Sequence, residues 1–178
     1  MLSRRQFLLA ASSIPAILGA GNVLAADFWS QPRSVWLLRQ ATGESFRVTY
    51  FADGKLIPEG YAQANWLLRD VKMGQTLPMS IVLLDVLCGM SGWYRALGYD
   101  SPIVTTSGYR TETTNSQTEG AVRNSRHKTG QAHDGFVYGV PIDHQVRVGM
   151  YLRGGGVGWY PSKHMVHVDD GNIRAWRG

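Results

Sequence analysis

The spacing of hydrophobic and polar positions changes several times along this chain, and the changes mark out its elements. Phe46, Val48 and Tyr50 alternate with Arg47 and Thr49 up to Asp53-Gly54, which predicts a half-buried strand entering a tight turn, with residues 34–38 as a partner strand. From Pro58 to about Val71 the apolar positions Tyr61, Ala64, Trp66, Leu67 and Leu68 fall near a helical repeat, and proline is tolerated in a first turn. A second helix is expected from Ser80 to Leu97, with Ile81, Leu84, Val86, Leu87, Met90, Trp93 and Tyr94 on its apolar face and Gly98 closing it. Residues 103–106 read as a short strand that delivers 107–110 to a loop, and a polar helix or loop follows through 111–119. Residues 131–138 read as a strand whose alternation puts Ala132 and Asp134 on one face and His133 on the other. A helix over 141–152, ended by Gly154-Gly155-Gly156, and strands over 157–160, 164–169 and 173–176 complete a mixed α+β pattern.

Composition bounds what such a domain can be. With 178 residues, 44% hydrophobic and 17% charged, the chain can bury one proper core, and a single domain over 27–178 is expected. The formal charge is +5; residues 1–26 contain Arg4 and Arg5 and no acid, so the remainder holds 16 basic and 13 acidic residues, a net charge of +3. That mild excess suits an anionic polymer such as cell-wall material, whereas the absence of a Lys/Arg run excludes nucleic acid as the expected partner. Cys88 stands alone in an apolar run, so no intramolecular disulfide forms and the residue reads as a small buried hydrophobe. A monomer is expected.

Residues 1–26 read as an address. Arg4-Arg5 precede an apolar run through Ala10, Ile14, Ile17 and Leu18, and Val23-Leu24-Ala25-Ala26 offers small residues for a signal peptidase. The segment is similar to a twin-arginine (Tat) export signal, which implies passage through the Tat translocase to the periplasm; an uncleaved N-terminal anchor is the alternative, against which the short apolar run broken by Gly19 and Gly21 argues.

The candidate chemistry lies in SGYRTETTNSQTEGAVRNSRHKTGQAHD (107–134) and KHMVHVDDG (163–171). His127, Asp134 and His167 are candidate zinc ligands; three protein ligands with one position left for water are the pattern of catalytic zinc. Taken singly, each has an ordinary explanation, a hydrogen-bonded loop histidine, a surface aspartate and a satisfied core histidine. Hydrolysis also needs a base. Strand parity favours Asp169, two residues beyond His167, while His164 would project from the other face unless a bulge or turn before Met165 brings it inward. Asp169 could equally orient a neighbouring group or a turn. Arg110 is a candidate for holding the developing oxyanion, against the alternative of a surface pair with Glu112 or Glu119. Ser107, Tyr109, Ser125 and Trp159 are candidate substrate contacts, and Tyr160 is a further aromatic that could line the groove, although small polar residues usually serve turns and aromatics usually serve cores. His133 and His144 fall outside the expected site.

In order, SGYR, Thr114-Asn115, SxHxxGxAxD from Ser125 to Asp134, GGVGWYP from Gly155 to Pro161 and VHVDDG from Val166 to Gly171 resemble the YcbK/MepK-like murein endopeptidases, within the wider M15 group of zinc D,D-peptidases that includes VanX/VanY-type enzymes. The resemblance covers nearly all of the chain beyond residue 26. It implies an antiparallel sheet flanked by helices, zinc at His127, Asp134 and His167, and cleavage of cross-links between peptidoglycan stem peptides; both 4-3 and 3-3 links fit. In that group the base often stands just upstream of the last histidine, where this chain has His164. Two positions depart from the family pattern, His133, where a small or apolar residue is usual, and Thr118–Ala121, where a glycine-rich turn is usual. A D-alanyl carboxypeptidase, requiring a pocket with a cation for the terminal carboxylate, and a noncatalytic wall-binding protein with a structural zinc remain the alternatives. A structural zinc would claim a fourth protein ligand.

Overall fold

The computed structural model describes residues 28–178, so the expected export signal lies outside the described residues. Arg33–Gly178 form one compact unit, and the described residues before it contain one helical turn at 28–30. Among the described residues no helix is long and apolar enough to cross a membrane.

Among the described residues, eight strands form one sheet. They are β1 (Arg33–Arg39), β2 (Ser45–Ala52), β3 (Lys55–Leu56), β4 (Ile103–Ser107), β5 (Ala132–Val137), β6 (Gly156–Tyr160), β7 (Met165–Asp169) and β8 (Arg174–Arg177). Their spatial order is β3-β2-β1-β4-β5-β7-β6-β8. The sheet is mostly antiparallel, as expected, but it is larger and mixed, because β1 pairs β4 and β6 pairs β8 in parallel. A parallel neighbour needs a crossover, and β1 reaches β4 only after two strands and two helices. The helices are α1 (Pro58–Leu67), α2 (Ile81–Ala96), α3 (Glu112–Ser116) and α4 (Ile142–Leu152).

Local chemistry accounts for the element ends. Asp53 and Gly54 both take positive φ, 52° and 72°, the conformation of a two-residue hairpin turn between β2 and β3. Ser80 caps α2 by accepting a hydrogen bond from the Leu83 N–H at 3.4 Å. α1 stops about a turn short of its sequence pattern because residues 68–75 make other bonds. The Leu68 carbonyl accepts from the Tyr109 N–H, and the Asp70 carboxylate accepts from the Lys72 and Met73 N–H groups. α4 is closed by Arg153 in the left-handed conformation, not by the glycines after it.

One sheet face carries the core. α2 packs on β1 and α4, and α4 packs on β6 and β7. Leu83, Leu84 and Leu87 of α2 are buried with Val35 and Leu37 of β1, Val157 of β6 and Val166 and Val168 of β7. Gln145 pins α4 to the end of β5: its side chain, fully buried, accepts from the Val137 N–H and donates to the Val137 and Val140 carbonyls. α2 and α4 cover this face, and polar residues of β5 and β7 project from the opposite one, where α3 packs on the turn 126–129.

Gln145→Ala strands buried backbone donors and acceptors, and should lower the unfolding free energy by at least about 2 kcal/mol in a denaturant titration.

Candidate metal centre

Three neighbouring strands and a loop converge on the open face of the sheet. In β5, Ala132, Asp134 and Phe136 point to this face while His133, Gly135 and Val137 point to the helices. Asp134 lies opposite Ser107 of β4 and His167 of β7 in the ladder. His127 arrives on a 3-10 turn, Arg126–Thr129, whose Ser125 hydroxyl accepts from the His127 N–H at 3.3 Å. Gly130 ends that turn at φ 69°, and a Cβ there would stand 2.8 Å from the Pro78 carbonyl, so the turn requires glycine.

The candidate ligand atoms of His127, Asp134 and His167 all lie within 4.8 Å of one another. Two imidazoles and a carboxylate suit zinc, and the groups behind them fit that use. His127 Nδ1 donates to the Gly108 carbonyl at 2.6 Å, so Nε2, 3.2 Å from Asp134, is the nitrogen turned into the cluster. Gly108 has no room for a Cβ, which would strike the Leu68 carbonyl. His167 Nε2 donates to Asp169 at 3.0 Å, so Nδ1, 2.7 Å from Asp134, is the nitrogen turned into the cluster. Arg110 donates from Nη2 to Asp134 and from Nε to the Ser107 hydroxyl at 2.7 Å. It therefore makes no surface pair: Glu112 goes instead to Lys128, at 2.5 Å.

Charge balance shapes the proton affinities. Burial by itself would raise the Asp134 carboxyl, but the His127 and His167 imidazoles hold it well below the usual carboxylate range. Burial pulls His167 down, yet the Asp134 and Asp169 carboxylates win and raise it. Burial drives His133 to about 3, so it stays neutral, and its Nε2 lies 3.0 Å from the Thr105 hydroxyl on the helix face.

Of the two candidate bases, Asp169 sits where strand parity implies and His164 does not. Asp169 does share the face of His167, but its carboxylate is already occupied. It accepts from Arg174 at 3.0 and 2.6 Å, from the Gly156 and Gly171 N–H groups, and from His167. Although burial opposes it, these bonds hold the Asp169 carboxyl well below its ordinary range. His164 lies outside β7, at φ 47° and ψ 52°, after the 3-10 turn Pro161–Lys163. That left-handed turn cancels the expected parity: its ring stands edge-on to Phe136 at 5.0 Å, and Phe136 shares a face with Asp134.

Of the other candidates, Ser107, Tyr109 and Arg110 line a cleft of about 300 Å³ beside the cluster. Ser125 serves its turn. Trp159 pairs with Val166 and so faces the helix side, under Arg177, not the open face. The aromatics near the cluster are Trp176, whose ring is 5.3 Å from that of His167, and Tyr160, which accepts from Trp176 Nε1 at 2.9 Å. Tyr160 was legible by parity, two positions from Gly158 opposite His167; Trp176 and Arg174 were not, since they depend on a parallel partner.

A family model described as peptidoglycan L,D-endopeptidase MepK, of the M15 peptidases, matches residues 28–176. The chain is 32% identical over 150 residues to the peptidoglycan L,D-endopeptidase MepK of Escherichia coli K12, covering 82% of this chain and 81% of that protein. It is 30% identical over 162 residues to the probable peptidoglycan L,D-endopeptidase MepK of Haemophilus influenzae, covering 88% and 86%. No solved structure matches significantly.

Because His167 is raised in the fold, its contribution to stability is complete below its unfolded value of about 6.5 and is lost as pH rises through the raised value. The chelated protein should melt at progressively lower temperature as pH climbs above about 6.5, and His167→Gln should flatten that slope. Asp169→Asn keeps all three candidate ligands but loosens His167, and should weaken zinc about 10- to 100-fold in a competition titration.

Proposed function

The chain belongs to the M15 peptidase family described as peptidoglycan L,D-endopeptidase MepK, and from that premise we propose that it is a zinc-dependent hydrolase of L,D-linked cross-links between peptidoglycan stem peptides. The observation that carries the proposal is the convergence of His127, Asp134 and His167, with the outer nitrogens of both histidines tied to Gly108 and Asp169. Among the described residues the cluster has three members, which favours a catalytic over a structural metal. His133, a possible fourth ligand, faces the helices. Residues 1–26 would send the protein through the Tat translocase to the periplasm, where that substrate lies.

The three residues would hold the ion, which when bound would polarise the scissile carbonyl and acidify water. Arg110, fixed by Ser107 and Asp134, presents a guanidinium to the negative charge that develops as water adds to the carbonyl carbon. A base must take the proton of that water and return it to the leaving amine as the C–N bond breaks. We assign this role to His164. Histidine suits proton exchange near neutral pH, and the left-handed turn puts this one on the cluster's face with its ring free of hydrogen-bonded partners among the interactions described. Asp169, filled by Arg174 and two backbone donors, orients His167 instead.

Purified protein incubated with cross-linked muropeptides and zinc should convert dimers to monomers by mass, and chelator should stop it; dimers persisting with zinc present would refute the proposal. His164→Ala should keep its zinc while kcat falls about 10²- to 10⁴-fold, and Arg110→Ala should cost about 10²- to 10³-fold. Full rate in His164→Ala would remove it as the base.

A further inference from the structure

The cleft beside the candidate metal centre contains a cation that the proposed hydrolysis does not use. Arg39, at the end of β1, is 5% exposed, and its Nε and Nη1 are buried with no hydrogen-bond partner. Arginine always carries its charge and offers only donors, so each unpaired N–H bears its full desolvation cost until something accepts from it. Arg39 lines the 300 Å³ cleft with Asp70, Lys72, Ser107, Tyr109 and Arg110.

The acids near Arg39 are already engaged. Asp70 accepts from the Thr111 N–H and hydroxyl at 2.9 and 2.8 Å, and from the backbone of Lys72 and Met73. Glu44 accepts from Arg69 at 2.8 Å and from Trp66 at 2.7 Å. Arg39, Lys72 and Arg110 thus outnumber the single cleft carboxylate, whose oxygens point elsewhere. Burial, reinforced by neighbouring Arg69 and only partly offset by Asp70 and Glu44, lowers Arg39 to about 10. Arg110 joins the cleft to the reaction centre, because the same guanidinium touches Asp134.

We propose that this cleft is a subsite for a substrate carboxylate flanking the scissile amide, received by Arg39, a proposal that rests on the peptidoglycan reading. Arg39 positions that group and takes no part in bond cleavage. Stem peptides ending in a diamino acid offer two such carboxylates, the peptide's terminal one and the one on the diamino acid's distal carbon.

The test uses the zinc-loaded protein and an uncross-linked stem tripeptide ending in diaminopimelate, compared by calorimetry with two analogues, each amidated at one carboxylate. Amidating one of them should weaken binding at least tenfold, and the position that matters identifies which carboxylate enters. In R39Q the free and amidated peptides should bind within about threefold of each other, and R39K should restore part of the difference; melting temperatures of the variants report that they are folded. Equal binding of all three peptides by the wild-type protein, undiminished discrimination in R39Q, or no binding of any peptide at millimolar concentration would overturn the proposal. Cross-link hydrolysis is read separately: a protein that discriminates through Arg39 yet cuts no dimer would keep the subsite and lose the endopeptidase reading, and discrimination confined to the terminal carboxylate would favour carboxypeptidase trimming.

Discussion

A buried carboxylate must be compensated, and the open face of this domain is organised around Asp134, which is 5% exposed in the middle strands of the sheet. Arg110 from the loop after β4, His127 from the 3-10 turn before β5 and His167 from β7 all direct nitrogens at its two oxygens. None of these could be withdrawn without stranding a charge. The pairing of β5 with β4 on one side and β7 on the other is therefore as much an electrostatic arrangement as a hydrogen-bonded one.

Around that centre, each group has a group behind it. Gly108 and Asp169 fix the two imidazoles, Ser107 fixes Arg110, and Arg174 with two backbone donors fixes Asp169. The partner of Asp169 comes from β8, an edge strand held to the sheet only through β6. Side chains held at both ends keep their geometry when water or substrate enters, which is what a hydrolytic centre needs. The two long helices of the core, α2 and α4, take no direct part. They load one face of the sheet with leucine and valine, and that leaves the other face available for charge.

Much of this was legible in the sequence because it is local. The period of residues 80–97 and the cap at Ser80 give α2, Asp53-Gly54 gives its hairpin turn, and parity along β5 separates Asp134 from His133. What was not legible depends on pairings distant in sequence or on one backbone angle. The parallel partners β4 and β8 follow from crossovers that no local pattern encodes, so Trp176 and Arg174 could not be placed at the site, and of the adjacent aromatics Trp159 and Tyr160 only the second faces it. The direction of the His164 ring turned on its φ, since strand parity extended one residue too far points it to the other face. Arg39 drew no notice, because a lone arginine ending an apolar strand carries no signal until its surroundings are known.

The left-handed residue at position 164 carries a cost in stability. An imidazole-bearing residue in that conformation costs on the order of 1 kcal/mol that glycine would not incur. Selection for a firmer fold alone would replace it. In the proposed role of base, on a turn packed against Phe136, it would be a position where the chain keeps a locally unfavourable backbone for the sake of a ring, and where a library screened only for thermal tolerance would enrich the variant that no longer has one.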